Sequence, residues 1–88
     1  ELKEDYGMPA HAIKAFLALQ SAGCPVKTWD HGDRGHFWID AEEPEASDWL
    51  EYWSMLMSGS KKLNKILNDN NLYFEWANPG YASVYNIN

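Results

Sequence analysis

Asn78-Pro79-Gly80 separates two aromatic-rich runs, Leu72 to Ala77 and Tyr81 to Asn86. Asn and Gly accept turn conformations that other residues resist, and Pro fixes φ at a turn position. The chain therefore reverses here, and the flanking runs are predicted to pair as a β-hairpin. Strand alternation assigns their faces. Leu72, Phe74 and Trp76 lie opposite Tyr73 and Glu75, while Tyr81, Ser83 and Tyr85 lie opposite Ala82 and Val84. A second hairpin is read from Val26 to Asp30 and His36 to Asp40, joined by His31-Gly32-Asp33-Arg34-Gly35; Phe37 and Ile39 share one face and Trp38 takes the other.

Each hairpin follows helical sequence. Pro9 suits the start of a helix over 9–22, where Ile13, Phe16, Leu17 and Gln20 keep i, i+3, i+4, i+7 spacing until Gly23. Pro44 marks a second helix over 44–58, with Trp49, Leu50, Trp53, Leu56 and Met57 on one stripe and Glu45, Asp48, Tyr52 and Met55 roughly opposite. Gly59 stops it, Ser60 caps a third helix built on Leu63, Ile66 and Leu67, and that helix ends in the Asn-rich stretch 68–71. The order α-β-β-α-α-β-β makes an α+β domain, an antiparallel four-stranded sheet with helices on one face and an open strand order. With 88 residues the chain is one domain, 1–88, whose first eight residues, mixed in charge and without period, read as a loosely structured leader.

Charge is distributed unevenly. Asp40, Glu42, Glu43, Glu45, Asp48 and Glu51 fall within twelve residues that contain no Lys or Arg, and the other seven acids match the seven bases. The formal charge of -6 therefore belongs to this one segment. It argues against direct nucleic-acid binding, which needs clustered cations. An acidic run at a helix start is also what a solvated face looks like. The functional alternative is a surface that docks a basic protein, with Tyr52 and Met55 adding apolar contact. Spaced carboxylates of this kind can imitate a phosphate track and occupy the groove of a nucleic-acid-binding protein. Over four residues, Trp38-Ile39-Asp40-Ala41 followed by acids is similar to plasmid antirestriction proteins. That likeness implies a DNA-mimicking inhibitor carried by a mobile element.

The thirteen aromatic residues exceed what a core of this size needs. Trp29 or Trp38, with Tyr73, Tyr81 and Tyr85, is expected to form an aromatic sheet face opposite the helices. Such a face could hold its own rings together across strands, stack a small ligand or saccharide, bind protein, or bury itself in a homodimer.

Motifs for chemistry are sparse. His31 and His36 bracket the first hairpin loop near Asp30, Asp33 and Asp40, but His-x4-His is no diagnostic metal pattern. His11 stands in the first helix with no evident catalytic partner. Cys24, the lone cysteine, reads as an inert core thiol in a reducing, cytoplasmic setting. There is no dinucleotide fingerprint, phosphate loop or nucleophile elbow, and no apolar run of membrane-spanning length. The expectation is a non-enzymatic interaction protein without cofactor or metal.

Overall fold

A computed structural model describes residues 8–28, 35–50 and 59–87. The first helix, α1 (Ala10–Ser21), starts after Pro9, whose extended backbone occupies the cap position. It closes in a Schellman turn. Gly23 adopts φ +97° and donates to the Gln20 carbonyl, while Cys24 N donates to the Leu19 carbonyl at 2.9 Å. The buried stripe is Ala12, Ala15, Phe16 and Leu19 rather than the expected Ile13, Phe16, Leu17 and Gln20: Ile13 is half-buried, Gln20 is exposed and Leu17 is 48% exposed. Two alanines with no exposed surface let this helix lie close to its neighbours, so the small residues, not the larger ones, mark the inward face.

The sheet comprises β1 (Val26–Lys27), β2 (Phe37–Asp40), β3 (Leu72–Asn78) and β4 (Tyr81–Asn86), in the spatial order β1-β2-β4-β3 with every pairing antiparallel. The second expected hairpin forms, and of the first the strands pair, with β1 confined to Val26–Lys27 of the expected 26–30 and residues 29–34 outside the described part. The strand order puts β4 against β2 and β3. Asn78 Oδ1 accepts the Gly80 N–H at 2.7 Å, closing the turn with an Asx contact, and a bulge at Ala77 adjusts the register between Trp76 and Asn78. Gly35 enters β2 at φ +80°, with its Cα so close to the Val84 carbonyl that a Cβ would collide with it.

Over its described part, 44–50, the helix expected after Pro44 is not α-helical. Pro44–Asp48 is a 3-10 helix, and by Leu50 the chain is already bridged to Gly59. The Trp49 carbonyl accepts from Ser60 N at 2.8 Å, so it is taken by a residue eleven positions on rather than by the next helical turn. Trp49 and Leu50 nevertheless enter the core as their stripe implied. The rest of the expected helix, 51–58, lies outside the described residues. The helix predicted after Ser60 is present as α2 (Lys61–Asp69), with Ser60 Oγ accepting the Leu63 N–H at 3.0 Å. Asn71, at φ +59°, turns the chain from α2 into β3.

The core joins Ala12, Ala15, Phe16 and Leu19 of α1 and Leu63 and Leu67 of α2 to Val26, Phe37, Ile39, Leu72, Ala82 and Val84 of the sheet. Met8, the last residue of the expected leader, belongs to this core at 1% exposure; the leader's other residues, 1–7, lie outside the described part. The fold is α+β, a small compact domain with its helices on one face of a four-stranded antiparallel sheet.

Candidate functional site

The registers place a set of polar and aromatic residues on the sheet face turned away from α1 and α2. Trp38 pairs with Ser83, Ser83 with Glu75, Asp40 with Tyr81, and Tyr73 with Tyr85. Directly paired residues share a face, and so do residues two apart along a strand. Trp38, Tyr73, Tyr81 and Tyr85 therefore stand together as alternation implied. Trp29, the other aromatic assigned to this surface, lies outside the described residues.

Ring geometry divides the face into two pairs. Trp38 meets Tyr81 edge to face, centroids 5.4 Å apart and planes at 72°, and Tyr73 meets Tyr85 at 5.8 Å and 35°. The Trp38 indole N–H donates to the Thr28 carbonyl at 3.2 Å, which fixes the ring on the sheet. Between the pairs sits Ser83, 1% exposed, its hydroxyl without a hydrogen-bond partner. Tyr73 is 39% exposed, and Trp38, Tyr81 and Tyr85 are half-buried.

The acidic segment continues this face. Asp40, the last residue of β2, sits opposite Tyr81, and its Oδ1 accepts the Glu42 N–H at 3.0 Å. The Ala41 N–H donates to the Gly80 carbonyl at 2.9 Å, so the acidic loop is pinned against the β3–β4 turn. Glu42, Glu45 and Asp48 are exposed, and Asp40 and Glu43 are partly so. Among the described residues none of these five carboxylates has an ion pair; the described pair is Lys65–Asp69 on α2, at 3.1 Å. Another α2 cation, Lys62, lies 4.9 Å from the centroid of the Trp49 ring. Glu51, Tyr52 and Met55, the remainder of the expected docking patch, lie outside the described residues.

Of the described residues weighed for chemistry, His11 and His36 are brought together, whereas Cys24 stands apart in the core. His36 lies at the opposite end of β2 from Asp40 and beside His11, an association the sequence spacing did not reveal; His31, Asp30 and Asp33 lie outside the described residues. Cys24 is buried, and the loss of water around it pushes the thiol up to about 12 from an ordinary 9.0. At neutral pH it is protonated and a poor nucleophile. Among the described residues no group of three or more His, Cys, Asp or Glu side chains is placed to hold a metal ion, and no helix is long and apolar enough to cross a membrane.

Comparison with protein-family models, with curated proteins and with solved structures finds no match for the chain.

Proposed function

We propose that this chain is a non-enzymatic interaction domain that docks a basic protein surface through the acidic segment 40–51 and the aromatic sheet face adjoining it. The observation that carries this reading is the Asp40–Tyr81 pairing, which joins carboxylates that have no ion pair among the described residues to a face bearing one Trp and three Tyr. Carboxylates with no ion pair among the described residues keep their field for an incoming cation. That field steers encounter and selects the partner's sign. Half-buried Trp and Tyr beside them supply the apolar contact that interface anchors need. A nucleic-acid-binding protein, its phosphate groove occupied by the carboxylates, fits this chemistry, and the chain would then act as an inhibitor. The lone protonated thiol accords with a reducing, cytoplasmic setting.

Two other uses of the same face fit less well. A saccharide platform wants rings exposed flat and nearly coplanar, whereas the Trp38 and Tyr81 planes are 72° apart. A two-fold homodimer through this face would set the acids Asp40, Glu42 and Glu75 of one copy against the same acid-bearing face of the other, and like charges oppose that.

The test is affinity capture from the native host at low and high salt with the wild-type chain and the variant Glu42→Lys/Glu45→Lys/Asp48→Lys, followed by titration of the purified partner. Wild-type binding should weaken steeply as salt rises, and the variant should lose it. Equal binding by both chains would remove the proposal.

A further inference from the structure

Three elements that are distant in sequence meet where α1 begins, β2 begins and β4 ends. His11 Nε2 lies 2.6 Å from Asn86 Oδ1, and His36 Nε2 lies 3.0 Å from the same oxygen. The two imidazole centroids are 5.8 Å apart with planes at 85°, so the rings approach edge-on from different directions. Asn86 Oδ1 is an acceptor, so both rings donate to it from Nε2–H. The amide oxygen thus occupies a point on which two imidazole nitrogens converge.

We infer that this cluster is a binding site for a borderline first-row divalent cation of the zinc class, with His11 Nε2 and His36 Nε2 as ligands and Asn86 Oδ1 as a third donor. Zinc–imidazole bonds are about 2.0–2.1 Å long and their directions are spread in space. The observed separations already fall within about 1 Å of that length, and the two nitrogens reach the same point from different elements, α1 and the start of β2. With the ion bound, each ring carries its N–H on Nδ1, which leaves the Nε2 lone pair free for the metal. The Asn86 amide then swings aside from the centre to ligate through its oxygen. His11 and His36 are partly exposed and Asn86 is exposed, so water can complete the coordination and the ion has a route in. Imidazole donors favour zinc, copper and nickel over magnesium and calcium. Magnesium and calcium call instead for a cage of oxygens. A bound ion would fasten the start of α1 to the sheet across 75 residues of chain, and because the unfolded chain lacks the preformed site, binding would raise stability.

The experiment is titration of the full 88-residue chain with zinc chloride at pH 7.5, followed through imidazole nitrogen and Asn side-chain amide NMR signals. The expected result is a saturable one-to-one change in His11, His36 and Asn86 together. His11→Ala and His36→Ala, each checked for native fold by circular dichroism, should weaken zinc binding about tenfold or more, whereas His31→Ala should not. Zinc should also raise the unfolding temperature of the wild type and not of either variant. Absence of a saturable change at His11 and His36, or a zinc response lost in His31→Ala and kept in His11→Ala, would overturn the site.

Discussion

Ser83 and Cys24 show how single side chains in this fold depart from the simplest rule of apolar inside and polar outside. The Ser83 hydroxyl is buried between aromatic pairs on a face that alternation marks as outward, and it has no hydrogen-bond partner. A buried hydroxyl left unsatisfied costs roughly 1–3 kcal/mol. Ser83→Ala should therefore be neutral or raise stability by about 1 kcal/mol, read as a shift in urea midpoint. A loss above 1 kcal/mol would mean the hydroxyl does have a partner. Cys24 makes a prediction about pH. Its folded-state value, about 12, lies above the ordinary 9.0, so the folded protein holds the thiol proton more tightly than the unfolded chain does. The corresponding stability is present in full below pH 9.0 and is lost as pH rises toward 12. Between pH 8 and 10 the urea midpoint should fall further for the wild type than for Cys24→Ala; parallel declines would contradict this.

At the scale of elements, α1 and the acidic segment carry the lessons. Because Ala12 and Ala15 have no exposed surface, Ala15→Leu should overpack the helix–sheet contact and cost about 1–3 kcal/mol, while Leu17→Ala, on the exposed side, should change little. Thermal unfolding of the two variants measures both, and a reversed ranking would put the stripe back where residue size alone suggests. Residue size hides that stripe in the sequence: Ile13 and Leu17 outweigh alanines in any hydropathy count, and only the nearness of packed neighbours makes alanine the better inward residue. The strands were more legible. Alternation placed Phe37, Ile39, Ala82 and Val84 inward and Trp38, Tyr73, Tyr81 and Tyr85 outward, as the registers have them, because strand period is local to each run. Helix periodicity after Pro44 was a poorer guide, since the Ser60 amide and the Leu50–Gly59 bridge are contacts across a gap that local spacing does not encode. Among the described residues, the acids of 40–48 support the fold through Asp40 and its bond to the Glu42 N–H and form no ion pair. Glu42→Lys/Glu45→Lys/Asp48→Lys should accordingly keep its unfolding temperature within a few degrees of wild type, and a large loss would assign those acids a structural role.

For the whole molecule, one face of the sheet is committed to the core and the other is joined to the described acids of the segment that carries the excess charge. Composition revealed where that charge lies along the chain. The adjacency of Asp40 and Tyr81 became visible only with the strand order, because β2 and β4 are about forty residues apart and no local pattern specifies their pairing. The same holds for His11 and His36, which meet at a point that neither the helix nor the hairpin loop suggests. A domain of this size buries roughly 60–65% of its unfolded surface, which leaves more scope for a docking surface than for a deep pocket. The most direct test of that surface is the footprint of a captured basic partner on the isotope-labelled chain, read from backbone and indole NMR shifts at low salt. Changes should concentrate in 40–48, the Trp38 indole and the outward residues of β3 and β4, and should fade as salt is added. A footprint confined to the exposed sides of α1 and α2, unchanged by salt, would contradict the docking role of the acidic and aromatic face.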